Sequence, residues 1–501
     1  MTSSRVLARN TLLNMLGQVI PMIAAIIAIP VLIRQLGAPR FGVLTLAWAT
    51  IGYFSLFDFG LSRALTQAVA VRLAADEETR DLTAVAWTSL WLMLWLGAVG
   101  GVLLASLTPW IVGSVLTVPP ELLHETLIAF YLLALALPWV VTSAGLRGLL
   151  EAHQDFGAAT ALRIPLAVFT FVGPLAVLPF STSLAPIVAV LVVGRAITWI
   201  GYLVVCLRRY DYLRKGIEVR RRVIAPLMRY GGWLTVSNLV SPLMANLDRF
   251  FIGAILPLAA VAQYVTPFEV VSKLQVLPQS MIAALFPAFS STYLVDRGRT
   301  ALLFERALRV VVLMMFPLLF TIVLFAPEGL TAWVGADFAH ASMPVLRWLA
   351  IGVFINSLAQ PPIGVIQGGG RPDLTAWLHL IELPLYVGAL WWLSHRYGIV
   401  GVAMAWTLRV ILDTSALLFF AFRAVPEPMR HVERTIPSAL AAVGALCAAT
   451  LVEGMAAKIV VLVLALSAFA LLGWTRVVQP DERESLRDWA RLARNRATTE
   501  A

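Results

Sequence analysis

Eleven charged side chains lie inside long apolar segments of this chain, where charge is costly. A charge at the centre of a bilayer costs at least about 2.5–3.5 kcal/mol on insertion scales, so most of these side chains are expected to face a polar interior. The acidic members could take up a proton or a small cation, and the basic members could bind an anion. The basic set is Arg63, Arg195, Arg249, Lys273, Arg347 and Arg409, and the acidic set is Asp58, Asp248, Glu269, Glu382 and Asp413.

Helical spacing separates the charges that can neutralise each other locally from those that cannot. Two pairs of opposite charge stand four residues apart, so each pair shares one helix face. These pairs are Glu269 with Lys273 and Arg409 with Asp413. Arg63, Arg195 and Arg249 have no acid at that spacing. Because a guanidinium is planar and always charged, such arginines suit a phosphate; ion pairs between different helices are the alternative.

The elements that must hold these charges are membrane helices. Hydrophobic residues make up 60% of the 501 residues and charged residues only 13%, and the mean hydropathy is +0.84. This balance excludes a water-soluble globular domain. A helix of roughly 20 apolar residues crosses a bilayer and satisfies its own backbone there. The sequence therefore predicts an all-α polytopic membrane protein with about fourteen transmembrane helices. The predicted spans are 11–33, 41–63, 84–108, 122–146, 164–180, 184–207, 230–256, 260–288, 310–326, 343–366, 374–394, 398–422, 435–452 and 459–475.

Basic residues fall mainly on one side of these spans. Of the 38 Lys and Arg residues, 28 lie in the connections and termini of one side and four lie on the other. By the positive-inside rule the richer side is cytoplasmic, which predicts cytoplasmic N and C termini and an even number of spans. Topology and attraction to anionic lipids explain the net charge of +10, so membrane lipids are expected partners and nucleic acid is not.

Two polar turns suggest an internal repeat. Residues 148–158, GLLEAHQDFGA, and residues 364–374, GVIQGGGRPDL, open alike and are 216 residues apart. A looser match at an offset near 220 joins the turn at Gly37 to the turn at Pro257. Together they predict two pseudo-symmetric six-helix lobes followed by two extra C-terminal helices. The predicted domains are an N-terminal lobe at 1–207, a basic cytoplasmic loop at 208–229, a C-terminal lobe at 230–422, helices 13 and 14 at 423–478, and a basic cytoplasmic tail at 479–501.

Motifs of common enzymes are missing from the sequence. None of the three lysines follows a glycine, so there is no P-loop for ATP hydrolysis. The six histidines form no HExxH motif and no cluster with cysteine, and no Gly-x-Ser-x-Gly elbow occurs. Cys206 and Cys447 make neither a disulfide framework nor a metal motif. We therefore expect a transporter with no cofactor and no metal, not an enzyme.

The stretch 32–70, LIRQLGAPRFGVLTLAWATIGYFSLFDFGLSRALTQAVA, resembles the polysaccharide or O-antigen flippase family. This family belongs to the multidrug/oligosaccharidyl-lipid/polysaccharide exporter superfamily. Each motif is loose, but the motifs follow the expected order over most of the chain. The matching elements are Leu36-Gly37, Phe41-Gly42, Asp58, Gly60-Leu61, Ala64, Asp248, Ile252-Gly253, Tyr264, Leu285-Phe286-Pro287, Gly368 to Arg371, Gly398 and Gly401-Val402-Ala403.

The resemblance implies a V-shaped, two-lobed helix bundle that works by alternating access in the bacterial inner membrane. It implies a substrate in which an oligosaccharide is joined to undecaprenyl diphosphate and is moved from the cytoplasmic to the periplasmic leaflet. O-antigen, exopolysaccharide and capsule are all open as products, and polysaccharide polymerases and co-polymerases are candidate partners. It also implies a central cavity whose cations meet the anionic head group. The cations of this chain assigned to that cavity are Arg63, Arg195, Arg249, Lys273 and Arg409. Fourteen spans instead of the family's twelve leave the role of the last two helices open.

Membrane voltage and ion gradients are the candidate energy sources. A diphosphate has roughly two negative charges, and a negative cell interior pushes each outward with about 2.3 kcal/mol per 100 mV. Bound arginines that moved with the head group would reduce that gain, so coupling to H+ or Na+ is a separate hypothesis. The acids that could serve such coupling are Asp58, Asp248, Glu269, Glu382 and Asp413.

Three other functions compete with this interpretation. A flippase for the peptidoglycan precursor lipid II obeys the same physics. A multidrug exporter of the same superfamily often needs an acid in its first span, where this chain has Asn14 and Gln18 instead. A membrane glycosyltransferase or polymerase commonly has a large periplasmic loop. The longest outer loop expected here, near 327–342, offers only Glu328, Asp337 and His340.

Overall fold

A computed structural model describes most of the chain as helices. The described residues are 4–54, 58, 60–74, 79–220, 222, 224, 244, 247–293, 295–425 and 432–472. The predicted tail at 479–501 and most of the predicted span at 230–256 lie outside them. Within them every long element is an α-helix, so the all-α prediction is confirmed. The helices are α1 (Ser4–Tyr53), α2 (Leu61–Ala74), α3 (Thr79–Trp110), α4 (Leu123–Ala152), α5 (Phe156–Val177), α6 (Leu184–Arg209), α7 (247–255), α8 (Leu258–Ser272), α9 (Val276–Thr292), α10 (Arg297–Leu324), α11 (Ala326–Val334), α12 (Ala336–Leu358), α13 (Gln360–Gly368), α14 (Pro372–Ala424), α15 (Val432–Ala449) and α16 (Met455–Leu472).

Eight stretches of the described residues are long and apolar enough to cross a membrane. Two shorter apolar helices follow near the C-terminus, at Thr435–Ala449 and Met455–Leu471. The chain is therefore a multi-pass membrane protein, and the count of fourteen crossings stays a prediction. The eight stretches are Ile20–Tyr53, Asp81–Val115, Pro120–Ala152, Phe156–Val177, Leu184–Arg209, Arg297–Leu324, Ala336–Gly368 and Asp373–Ala424.

Glycine interrupts the two longest helices. Gly37 in α1 has φ 74° and ψ 160°, and Gly398 in α14 has φ 58° and ψ −137°. These left-handed conformations favour glycine because it has no Cβ. A straight helix as long as α14 would extend about 80 Å, far beyond the roughly 30 Å of a hydrocarbon core. Each helix is therefore two crossings joined at its glycine, in keeping with the predicted pairs of spans.

The structure differs from the predicted elements at several points. The predicted span 260–288 is divided into α8 and α9, and the predicted span 343–366 into α12 and α13. The helix predicted at 41–63 ends at Tyr53, and a separate helix begins at Leu61. Beside the start of this second helix, the carboxylate of Asp58 accepts hydrogen bonds from the Gly60 N–H and the Ser62 hydroxyl. The loop expected near 327–342 is mostly helical, in α11 and the start of α12. Pro327 stands in the first turn of α11, where proline is favourable, and the helix buries Leu330.

The described helices repeat at the offset that the polar turns predict. Helices α5 and α14 begin at Phe156 and Pro372, which are 216 residues apart, and α4 and α13 end at the same interval. The packing repeats as well. A Cβ added at Gly148 would lie 2.6 Å from the nearest atom of α2, and one added at Gly364 would lie 2.8 Å from the nearest atom of α9. The two halves therefore use glycine in the same way, to bring corresponding helices together.

The chain forms two compact units. Unit 1 comprises Met1–Thr266 with Arg396–Val402, and unit 2 comprises Pro267–His395 with Ala403–Ala501. In unit 1, α4 packs between α3 and α6, and Leu133 and Leu137 are fully buried there. In unit 2, α10 packs against α12 and α15. The predicted lobe boundaries at 207 and 230 are not tested by this division and stay predictions.

Gly42 allows the second half of α1 to touch the start of α8 in unit 1. A Cβ at this position would lie 2.0 Å from the carbonyl oxygen of Leu258 and 2.8 Å from its carbonyl carbon. Both atoms belong to backbone, so a side-chain rotation cannot relieve the clash. Gly52 is on the same helix, and a Cβ there would meet nothing within 4 Å.

We expect Gly42→Ala to lower the stability of the folded protein by about 1–3 kcal/mol or more, as overpacking does. Thermal unfolding in detergent, followed by fluorescence-detected size exclusion, measures this as a drop in Tm. Gly52→Ala is the matched control and should leave the Tm unchanged or slightly raised, because alanine favours helix. Equal Tm values for the two variants would contradict the close approach at Gly42.

A buried lysine joins α16 to α11 within unit 2. Lys458 is 3% exposed, and its Nζ donates to Glu328 Oε1 and Oε2 at 2.7 and 3.0 Å. Partial burial alone would raise the pKa of Glu328, but the hydrogen bonds and the positive charge of Lys458 outweigh it and hold that pKa below its usual value. The pair therefore fastens one of the extra C-terminal helices to the unit.

The lowered pKa of Glu328 predicts a defined acid sensitivity. The contribution of the ion pair is fully present above the unfolded carboxyl pKa of about 4.3 and is lost as pH falls through the lower folded pKa. The difference in Tm between wild type and Glu328→Gln should therefore shrink as pH falls below about 4.3. Glu453→Gln is the control, since Glu453 is exposed and should give no pH-dependent difference. A constant difference for Glu328→Gln across the acid range would contradict the ion pair.

Candidate functional site

Arg195 lies in the middle of α6, on the face that packs inside unit 1. Steps of three and four residues from Arg195 follow one helix face, which is buried, whereas the opposite face is apolar and exposed. The buried residues in line with Arg195 are Val188, Leu191, Thr198 and Tyr202, and the exposed residues opposite are Val193, Ile197, Ile200 and Val204. Arg195 therefore points away from the exposed apolar face. Its side chain is half-buried and pairs with no acid among the described residues.

Arg63 and Asp58 lie close together in sequence but do different things. Asp58 accepts from Gly60 N at 2.7 Å and from Ser62 Oγ at 2.6 Å, so its carboxylate holds the residues at the start of α2. Arg63 is exposed in the first turn of the same helix and has no acid partner in the described part of the chain. These hydrogen bonds give Asp58 a structural role, and its coupling role stays a prediction.

Unit 1 contains a buried polar group that consists of Asp248, Arg249 and Tyr264. Asp248 is 1% exposed, and its carboxylate accepts from the backbone N–H of Arg249 at 2.8 Å and from the hydroxyl of Tyr264 at 2.5 Å. Arg249 is 7% exposed. Two motif residues that the sequence places sixteen apart, Asp248 on α7 and Tyr264 on α8, are thus in direct contact. Neutral donors bond Asp248, which explains how a carboxylate is accommodated there.

The hydrogen bond between Tyr264 and Asp248 yields a stability prediction. Tyr264→Phe removes one donor from a buried carboxylate, which should cost about 1–3 kcal/mol. Tm measurements on purified protein would show this as a clear decrease. Tyr397→Phe serves as the control, because Tyr397 is half exposed and should tolerate loss of its hydroxyl. The hydrogen bond would be ruled out as a stabilising contact if both variants unfolded at the wild-type temperature.

Glu269 and Lys273 form the ion pair that their spacing predicts in unit 2. The Lys273 Nζ lies 3.2 Å from Glu269 Oε2, at the end of α8 and in the short 3-10 turn that follows it. The lysine is 39% exposed and the glutamate 17%. Lys273 is therefore accessible as a cation only in competition with its neighbouring acid, and its place in the cationic cavity stays a prediction.

Glu382 and Asp413 come together from the two halves of α14 in unit 2. Ligand atoms of these two acids and of His379 lie within 4.8 Å of one another, and His379 Nε2 is 3.6 Å from Asp413 Oδ1. Glu382 is 4% exposed and Asp413 is 6% exposed. We call these three residues the carboxylate–histidine cluster. Sequence reasoning selected the two acids but missed His379, whose spacing of three residues before Glu382 was the available signal.

Arg409 does not form its predicted pair. Among the described residues it makes no ion pair with Asp413; its guanidinium carbon lies 5.3 Å from the centre of the Tyr386 ring, a cation–π distance. Asp413 faces His379 across the helix pair instead. Tyr386 and His379 both lie in the other half of α14. The spacing of four residues between Arg409 and Asp413 therefore did not determine either contact.

Comparisons with known proteins place this architecture in a family. The sequence profile described as polysaccharide biosynthesis protein matches residues 7–293. The Shigella flexneri protein named "Putative O-antigen transporter" is 31% identical over 421 residues, which cover 82% of this chain and 96% of that protein. The chain belongs to the polysaccharide biosynthesis protein family. This confirms the family that the sequence motifs resemble.

Solved structures show the fold of this polysaccharide biosynthesis family member. An inward-facing multidrug transporter of the MATE family superposes with a TM-score of 0.69 at 16% identity, over 82% of this chain and 98% of that chain. The lipid II flippase MurJ in an inward closed conformation also gives 0.69, at 12% identity, over 94% and 100%. The fold is thus that of known membrane transporters, and it covers nearly all of the chain.

The charges of this family member fall into two chemical types. Unit 1 has Arg63 and Arg195 without a described acid partner, together with Arg249 beside Asp248. Unit 2 has a half-exposed ion pair and a buried group of two acids and a histidine. The first arrangement can bind an anion, and the second can bind a proton or a small cation.

Proposed function

We propose that this protein is a flippase for an oligosaccharide joined to undecaprenyl diphosphate. It moves this lipid from the cytoplasmic to the periplasmic leaflet of the bacterial inner membrane, where the glycan enters a cell-surface polysaccharide. The observation that supports this most directly is the 31% identity to a protein named as an O-antigen transporter, over 96% of that protein's length. The likeness to transporter structures over most of the chain supports the same class of function.

The cations inside the spans supply the chemistry that such a substrate needs. A diphosphate is an anion that bilayer hydrocarbon excludes, and guanidinium groups bind phosphate through two parallel hydrogen bonds. Arg195 is the strongest candidate, because it is half-buried, faces away from the exposed apolar side of α6 and has no described acid partner. Arg63 and Arg249 follow, and Lys273 and Arg409 complete the proposed set. Lys273 is the weakest candidate for phosphate binding, because it already pairs with Glu269.

The proposed direction follows from topology and charge. The distribution of basic residues orients the chain with both termini in the cytoplasm. A negative cell interior then favours outward movement of an anionic head, by about 2.3 kcal/mol per charge at 100 mV. Polysaccharide polymerases and co-polymerases are the proposed partners, since they would use the glycan after it reaches the periplasmic leaflet.

The test is transport in vesicles that contain only this protein. Purified wild type is reconstituted with a fluorescent undecaprenyl-diphosphate glycan, and a membrane-impermeant reagent reports the leaflet. We expect wild type to move the glycan and Arg195→Ala to slow it by about tenfold or more, because one charge-assisted hydrogen bond is worth about 1.5–3 kcal/mol. Arg63→Ala and Arg249→Ala should also slow it, provided that they retain the wild-type Tm.

The matched control is Arg147→Ala. Arg147 belongs to the same unit, but it is 42% exposed and is 3.4 Å from Glu151, so its loss should leave transport near the wild-type rate. Equal slowing by Arg147→Ala and Arg195→Ala would remove Arg195 from the proposed site. Movement of lipid II but not of other glycans would favour the peptidoglycan alternative, and exchange of a cationic drug without glycan movement would favour the multidrug exporter.

A further inference from the structure

Arg347 lies on α12 of unit 2 without a hydrogen-bond or ion-pair partner among the described residues. Its Nε is buried and donates to no acceptor there, and the residue as a whole is half-buried. The neighbours on the same helix face, at steps of three and four residues, are Met343, Pro344, Ala350 and Ile351, and none of them is acidic. Buried polar atoms are nearly always hydrogen-bonded, so this guanidinium requires an acceptor that the described residues do not supply.

The acid whose charge acts on Arg347 is already held by another cation. Glu328 of α11 interacts electrostatically with Arg347, but both of its carboxylate oxygens accept from Lys458 Nζ, at 2.7 and 3.0 Å. Lys458 is 3% exposed, so its ion pair is shielded from water. Two cations therefore share one acid, and the three side chains together retain one net positive charge. An anion is the ligand that this charge favours.

Arg347 lies at the border between the buried and the exposed face of α12. Leu346 and Leu349 are buried, whereas Trp348 is 37% exposed. Because α12 belongs to a stretch that is long and apolar enough to cross a membrane, its exposed side chains face lipid. An anionic group can therefore reach Arg347 from the lipid, along the side of the helix that Trp348 marks.

The level of Arg347 in the membrane suits a lipid head group. The distribution of basic residues assigns the start of α12, at Ala336, to the periplasmic side. The Cα of Arg347 is about 16 Å along the helix from that end, and its long side chain leans back toward the helix start, as helical side chains do. Lys458 lies in the first turn of α16, which begins on the same side. The guanidinium is therefore within reach of phosphate groups in the periplasmic leaflet.

We propose that Arg347 binds the phosphate group of a phospholipid in the periplasmic leaflet. The guanidinium donates two parallel hydrogen bonds to the phosphate oxygens. Lys458 neutralises Glu328, which would otherwise repel the phosphate and compete for the guanidinium. Trp348 stands beside the glycerol region of the lipid, where tryptophan is enriched. The site gives the Lys458 helix, one of the two extra C-terminal helices, a role in lipid binding, and it does not depend on which substrate the protein transports.

Binding is measured on the full chain in dodecyl maltoside, a detergent without phosphate, as the rise in Tm on addition of dioleoyl phosphatidylglycerol. Two further probes separate the parts of this lipid. Dioleoylglycerol has the same acyl chains without the phosphate, and inorganic phosphate has no acyl chains. We expect a saturable rise in Tm with phosphatidylglycerol that neither of the other probes produces, because the site recognises a phosphate that its acyl chains hold at the lipid-facing border of α12.

Variants assign the response to Arg347. Arg347→Gln should raise the apparent Kd for phosphatidylglycerol about tenfold or more, because it removes charge-assisted hydrogen bonds. Arg347→Lys should retain only part of the affinity, since an ammonium lacks the planar fork. Arg396→Gln is the matched control. Arg396 is an exposed arginine on the predicted periplasmic side, and its loss should leave the lipid response unchanged.

Glu328→Gln separates lipid binding from a purely structural role of Arg347. Without lipid, Glu328→Gln weakens the contact with Lys458 and should lower the Tm, whereas Arg347→Gln breaks no described hydrogen bond and should lower it less. With phosphatidylglycerol, Glu328→Gln should respond at least as strongly as wild type, because a negative charge near the phosphate is gone.

The proposal is overturned if Arg347→Gln responds to phosphatidylglycerol as wild type does. It is also overturned if dioleoylglycerol or inorganic phosphate alone reproduces the full response. A wild type that responds to undecaprenyl diphosphate but not to phosphatidylglycerol would overturn the assignment to a phospholipid. If the variants do not fold, the comparison of the probes on wild type still decides whether a lipid phosphate is bound.

Discussion

Burying a charge inside a bundle of apolar helices costs free energy unless a partner compensates it. The described residues meet this requirement in different ways. Lys458 receives a bidentate acid from another helix, Glu269 pairs within its own helix and the turn that follows, and Asp248 accepts hydrogen bonds from neutral donors. These charges are accounted for by local chemistry. Arg195 pairs with no acid among the described residues, and it is a group for which an anionic ligand offers the missing partner.

Backbone polar groups must likewise be paired inside the membrane, and the glycines show how the chain changes direction under this constraint. In lipid the chain must remain helical, so it changes direction at residues that tolerate a left-handed conformation, such as Gly37 and Gly398. Helices that lack large side chains at their crossings approach closely, as α1 approaches α8 at Gly42. Several glycines of the family resemblance therefore serve the fold, and their presence alone says little about the ligand.

Hydropathy and helical periodicity predicted the all-α class and the Glu269–Lys273 pair, because each depends on residues close in sequence. The internal repeat was predicted from the similarity of two polar turns 216 residues apart. These signals did not predict that a separate helix begins at Leu61, where Asp58 accepts hydrogen bonds from the Gly60 N–H and the Ser62 hydroxyl and Gly60 has a positive φ. They also failed for Arg409 and Asp413, whose partners lie on the other half of α14. Contacts between helices depend on rotation and register, which apolar segments of similar composition leave undetermined.

Corresponding parts of the repeated architecture differ in their charges. The pair α5 and α6 contains Arg195 and no acid, whereas α14 contains Glu382 and Asp413. A duplicated unit that keeps its packing but changes its charges can bind an anion in one copy and a cation in the other. Any coupling between such sites is reciprocal: if the cation changes the affinity for the glycan head by some factor, the glycan must change the affinity for the cation by the same factor.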